Sequence, residues 1–220
     1  MNYLVELQKH LAAYQNETEG QKMSAYVRNK FLFLGIKASQ RKQLLSQFLK
    51  QFGYPTHHQI EDILIGLWSL PYREYQYCGM EIADKVMRNP RAEDVLIIEY
   101  LLEYKQWWDT VDFIASHLVG RLFSKEPEIK SHYFNKWLKA NDIWLNRTAI
   151  IFQLFYKEKT DTAMLATAIR EHAGSKEFFI QKAIGWALRQ YARTNPSWVR
   201  STLTKMELQP LSIREASKYL

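Results

Sequence analysis

Cysteine, glycine and proline are all scarce in this chain, which has one Cys, eight Gly and six Pro in 220 residues. With Cys78 alone there is no intramolecular disulfide and no thiolate metal cluster, and a reducing compartment is expected. So few turn-forming residues leave little material for a multistranded sheet. Leu, Ala, Lys, Glu and Gln recur instead at helical spacing, which predicts an all-α protein. No stretch approaches the ~20 apolar residues of a membrane span, and the segment from Met1 to His10 lacks the apolar core of a secretory signal. A cytoplasmic, nucleoid-associated protein with no membrane partner is therefore expected. There is no His-Glu-x-x-His either. The pair His57-His58 falls on a predicted helix start with no acid at ligand spacing, and His10, His117, His132 and His172 are scattered, so neither a metal site nor a cofactor is expected.

What the chain does have is a core and a lopsided charge. Hydrophobic residues make up 47% of it, enough for a substantial interior. The net charge is +7. Residues 1–100 carry 12 Lys and Arg against 11 Asp and Glu, and residues 101–220 carry 18 against 12, so the excess lies in the second half. Such an imbalance favours a polyanionic partner through counterion release at phosphates, although many basic proteins bind none.

Helix-start signals recur with a period. Asn89-Pro90, Glu126-Pro127 and Asn195-Pro196 each place Pro in a first turn, and Thr160-Asp161 supplies a start in the interval between the last two. Second helices open near Pro71, Trp107, Asp142, Ser175 and Ser212, the last read as a Ser-x-x-Glu capping box with Glu215. The pattern predicts about three N-terminal helices and then five helical pairs at roughly 58–88, 90–123, 127–158, 161–193 and 196–220. A 34 to 37 residue period without the tetratricopeptide signature points to a right-handed solenoid of HEAT-like repeats forming one domain over residues 1–220. In that register Ile150, Ile151, Leu154 and Phe155, and Ile184, Ala187, Leu188 and Tyr191, form inward stripes. Trp68, Trp137 and Trp198 are expected in the core.

Within the repeats, Asp112, Arg147 and Lys182 follow one another at intervals of 35 residues. Equivalent positions of stacked repeats line one surface, so an acid, a guanidinium and an amine would share a concave basic groove with Trp108 and Trp186 beside them. Capping accounts equally well for the isolated run Trp107-Trp108-Asp109-Thr110-Val111-Asp112, with Asp109 as N-cap and Asp112 in the first turn. It does not account for the cations in the next two repeats. Arg147 sits in an otherwise apolar segment, where it is either paired to an acid, with Asp112 the natural partner, or facing the groove. Lys182, Trp186, Arg189 and Arg193 fall on one helical stripe, which suits a phosphate backbone and a flat or cationic group better than it suits a core.

These residues, together with Phe31-Leu32-Phe33-Leu34-Gly35-Ile36, Asn141-Asp142-Ile143-Trp144-Leu145 and the run from Ser175 to Trp186, resemble the DNA alkylation-repair glycosylases of the AlkD type over nearly the whole chain. The resemblance implies HEAT-like repeats wrapped around duplex DNA and hydrolysis of the N-glycosidic bond of N3- and N7-alkylated purines such as 3-methyladenine and 7-methylguanine. It implies no deep base flipping. It also implies Asp112 as the catalytic Asp, Arg147 as its associate, Trp108 and Trp186 as groove tryptophans, and Tyr26, followed by Arg28 and Lys30, on the DNA. Lys182, Arg189 and Arg193 would contact phosphates. A monomer acting on double-stranded DNA is expected. The competing readings are a non-catalytic HEAT-like scaffold for DNA or protein, and a lyase with Lys182 as Schiff-base nucleophile.

Overall fold

A computed structural model describes residues 2–220, and among them the structure is helical with no strand; a single bridge joins Leu32 and Tyr72. In chain order the helices are α1 (Tyr3–Ala12), α2 (Glu17–Tyr26), α3 (Ala38–Phe52), α4 (Ile60–Ser69), α5 (Arg73–Val86), α6 (Asp94–Glu103), α7 (Trp108–Phe113), α8 (Gly120–Lys125), α9 (Pro127–Leu138), α10 (Ile143–Ile151), α11 (Thr162–His172), α12 (Phe178–Ala192), α13 (Pro196–Lys205) and α14 (Pro210–Ala216). With α7 and α8 taken as one interrupted helix, three helices are followed by five pairs. The helices fall into two compact units, one ending at Asn89 and one spanning Pro90–Leu220. Among the described residues no helix is long and apolar enough to cross a membrane.

In the first unit, Leu7, Leu11, Phe48, Leu64, Leu67 and Trp68 are almost fully buried. Glu74 is equally buried and survives there because its carboxylate accepts three backbone N–H groups, from Leu34 at 2.9 Å and from Gly35 and Ile36 at 2.9 and 3.1 Å. A buried charge is tolerable only with this kind of saturation. The clamped loop also crosses α2 at close range. Gly35 takes φ +87, and a β-carbon there would collide with the Asn16 carbonyl.

In the second unit the second members of successive pairs pack against one another in order, α7 on α10, α10 on α12 and α12 on α14. Local chemistry starts several of the helices where expected. Pro127 and Pro196 open α9 and α13. Asp142, Asp161 and Asn195 accept N-terminal N–H groups as N-caps. Between α7 and α8 the chain runs through a π-helical segment, Ile114–Val119. There the Ser116 hydroxyl donates to the Asp112 carbonyl at 2.6 Å, a local competitor with regular i to i+4 bonding.

Several expectations are corrected. Pro90 does not open α6, which begins four residues later at Asp94 after a turn. Ser212 and Glu215 are not a capping box. Pro210 is already the first residue of α14, so Ser212 lies inside it and its hydroxyl donates to the Gln181 carbonyl at 3.0 Å. Phe155 is 52% exposed, because α10 ends at Ile151 and the wheel that places Phe155 inward no longer applies. Tyr191 and Trp198 are half-buried, packed edge to face on each other, whereas Trp68 and Trp137 are in the core as expected.

Candidate functional site

Four successive second helices of the second unit bring their residues to one cavity of about 290 Å³, walled by Trp108 and Asp112 of α7, Arg147 of α10, Phe178, Phe179, Lys182, Trp186 and Arg189 of α12, and Glu215 of α14. The structure therefore assembles six of the ten residues singled out from the sequence. Trp108 and Trp186 are half-buried in its wall. Asp109 is not the N-cap of α7, which Trp107 occupies; the Asp109 carboxylate accepts from the Thr110 N–H at 2.9 Å.

Arg147 is 4% exposed. Its Nε donates to Asp112 Oδ1 at 2.6 Å and its Nη2 to Oδ2 at 2.8 Å, a bidentate fork, while Nη1 donates to the Phe179 carbonyl. All three nitrogens thus donate within the protein, two of them to Asp112. The fork fixes both oxygens of the carboxylate in one plane. Burial pushes the Asp112 carboxyl above its usual range, and the Arg147 fork offsets part of that rise. The 35-residue register and an Arg in an apolar helix were the two signals that made this pair legible.

Behind the fork, Trp107, Trp144 and Phe179 pack ring on ring, with centroids 4.9 to 5.4 Å apart. Phe178, half exposed, stands at the lip.

The other end of the cavity is basic. Lys182 lies 3.0 Å and Arg189 2.7 Å from the carboxylate of Glu215, and Lys218 reaches the same carboxylate at 2.8 Å. Arg193 sits outside the cavity, exposed, with its guanidinium 4.4 Å from the centre of the Tyr219 ring. Glu215 and Lys218 are functional candidates that the sequence reading missed, because Ser-x-x-Glu matches a helix start as well as it matches an interior pair.

Tyr26, Arg28 and Lys30 lie in the first unit, at the end of α2 and in the turn after it. All three are exposed, Tyr26 at 74%, and Arg28 has φ +60. Among the described residues no three His, Cys, Asp or Glu side chains gather into a metal-binding group.

No curated protein matches the chain. A structure described as a predicted DNA alkylation repair enzyme from Enterococcus faecalis is similar to it at 36% identity, over 94% of this chain and 96% of that one, with a TM-score of 0.86. The family model described as DNA alkylation repair enzyme matches residues 7–220. The fold, the site and this match over nearly its whole length place the chain in the DNA alkylation repair enzyme family.

Proposed function

We propose that the protein is a monofunctional DNA glycosylase that hydrolyses the N-glycosidic bond of cationic N3- and N7-alkylated purines in duplex DNA, as a monomer, with residues 1–220 acting as one HEAT-like domain. The observation that carries the reading is the Asp112 carboxylate held by the Arg147 fork in a cavity walled by two indoles.

The chemistry suits these residues. An alkylated purine already carries positive charge, so its glycosidic bond is weak and the base leaves neutral without a general acid. What remains to be stabilised is the oxocarbenium character of the sugar, and a carboxylate is the group to set beside it. A charge pair near 4 Å at an effective dielectric of 20 interacts by about 4 kcal/mol, roughly a thousandfold in rate if realised in the transition state alone. Asp112 supplies that charge and orients the attacking water. Trp108 and Trp186 face the cationic lesion or its deoxyribose, where cation–π contact adds about 0.5 to 2 kcal/mol. Lys182, Arg189, Arg193, Tyr26, Arg28 and Lys30 hold the strand by its backbone, contacts that position without reading sequence. In this reading the lesion stays stacked while the sugar is attacked.

A lyase acting through Lys182 has less support, since the Glu215 carboxylate 3.0 Å away is the opposite of the apolar pocket that activates an amine. A non-catalytic scaffold would use the Asp112–Arg147 fork as a bridge between stacked helices, but has no evident use for two indoles walling the cavity beside it. The test is release of 7-methylguanine and 3-methyladenine from methylated duplex, with chelator present, by wild type and Asp112→Asn. Release by the wild type alone, with duplex binding retained in the variant, is expected. Binding without release by either protein would leave a scaffold.

A further inference from the structure

We propose that the C-terminal helix is part of the DNA-binding machinery: Glu215 is a positioning residue that gathers Lys182, Arg189 and Lys218 into a preassembled clamp for a backbone phosphate beside Asp112, with Lys218 a phosphate ligand in its own right. The proposal deepens the glycosylase reading and rests on it for the role of Asp112, but its DNA-binding arm stands independently.

The argument begins with packing. Helix α14 lies so close to α12 that a β-carbon on Gly185 would collide with the Cβ of Glu215 and sit 2.9 Å from the Ser212 carbonyl. Glycine at 185 lets a carboxylate from α14 arrive beneath the basic stripe of α12. Ser212 reinforces the seat through its hydrogen bond to the Gln181 carbonyl. One oxygen of Glu215 then takes Lys182, and the other takes Arg189 and Lys218.

Burial decides what this arrangement is for. The Glu215 side chain is 6% exposed, whereas Lys182, Arg189 and Lys218 are 37%, 24% and 48% exposed. The carboxylate is underneath and the cations are above it, with further N–H donors left for solvent or for a ligand. A phosphate arriving from solvent therefore meets the cations first and has no need to displace Glu215. One carboxylate against three cations leaves the cluster at +2, so it still attracts an anion. Without that carboxylate, three like charges within reach of a single point would repel one another and spread. Glu215 is held down to about 2, chiefly by Lys218 and Lys182, and so is ionised at neutral pH.

The same segment fixes the last cation of the stripe, since Arg193 stacks on Tyr219. Every cation on the exposed stripe of α12 is thus held by a residue between 215 and 219. Lys182, Arg189 and Glu215 also wall the cavity that contains Asp112. A phosphate on the clamp is on the strand whose sugar faces Asp112, which makes the clamp a device for register.

The experiment has two arms. In the first, binding of an undamaged duplex is measured across a salt series for wild type and Lys218→Ala. Loss of one phosphate contact should lower the slope of log K against log salt by about one and weaken binding several-fold at low salt. An unchanged slope would overturn the role of Lys218. In the second arm, Glu215→Gln is compared with wild type in single-turnover base release over a range of enzyme concentrations. The maximal rate should fall about tenfold while duplex affinity holds or rises, because the net charge goes up as register is lost. An unchanged rate, or tighter binding with faster release, would overturn positioning and identify Glu215 as an internal competitor of phosphate. Should Glu215→Gln fail to fold, as judged by its thermal transition, the Lys218 arm decides alone. Should wild type release no base, the glycosylase reading fails, and the salt slopes still report on the clamp.

Discussion

Arg147→Ala removes both charge-assisted hydrogen bonds that Asp112 accepts, at 2.6 and 2.8 Å, and leaves the carboxylate in a site where 19% of its side chain meets solvent. Breaking one member of a buried pair costs about 3 to 5 kcal/mol. The lower end, about 3 kcal/mol, is expected here because Asp112 can take up a proton. Burial already raises the Asp112 carboxyl above its ordinary value, and Arg147 is the group that opposes the rise. In the variant Asp112 must titrate at higher pH than in wild type. A carboxyl whose folded-state pKa lies above its unfolded value contributes its stability at low pH and loses it as pH rises through the folded value. The deficit of Arg147→Ala relative to wild type should accordingly widen between pH of about 4 and about 8. Urea unfolding at the two ends of that range measures the deficit, and carbon-detected NMR of the Asp112 carboxyl locates its titration directly. A midpoint that stays put or falls in the variant, or a deficit independent of pH, would refute the reasoning.

Two further outcomes follow from the same geometry. Trp186→Ala should slow release of 7-methylguanine by roughly 2- to 30-fold, the rate equivalent of a 0.5 to 2 kcal/mol cation–π contact; if it instead improves release, the indole is an obstacle and not a wall of the site. Glu74→Gln should destabilise the first unit by about 3 kcal/mol, since three backbone donors lose a charged acceptor and one of them faces an amide NH2. Denaturation with amide exchange at Leu34, Gly35 and Ile36 checks this, and unchanged protection at those amides would count against the clamp.

The helical class was legible because it depends on composition, and several helix starts were legible because their signals act locally. Asp142 and Asp161 cap their helices wherever the rest of the chain goes. The Asp112 and Arg147 pair was legible for a different reason. A repeat translates an interval of 35 residues into adjacency, and an Arg in an apolar helix demands an acid. What escaped was set by tertiary contact. Glu215 reads as half of a capping box until α14 is seen to start at Pro210 and to seat against Gly185. Phe155 reads as core until α10 is seen to stop at Ile151. The π-helical stretch after Asp112 carried no pattern at all, since the Ser116 hydroxyl that accompanies it is an ordinary helix residue until it bonds to the Asp112 carbonyl.

The charges around the cavity are divided in a way that orients a polyanion. At one end Asp112 and Arg147 neutralise each other through two short hydrogen bonds, and at the other Lys182, Arg189 and Lys218 outnumber Glu215. A phosphate approaching this surface is drawn to the second end and gains nothing at the first. On the proposed glycosylase reading the Asp112 carboxylate is therefore not spent on repelling the backbone, because Arg147 screens it from neighbouring phosphates while part of it stays open to the cavity. The arrangement also explains why the acid and its fork come from different helices. Asp112 on α7 and Arg147 on α10 meet only when the pairs are stacked, so the Asp112 carboxylate is held in place by the same packing that builds the core. Loss of stacking between these helices should then remove activity before it removes helix content.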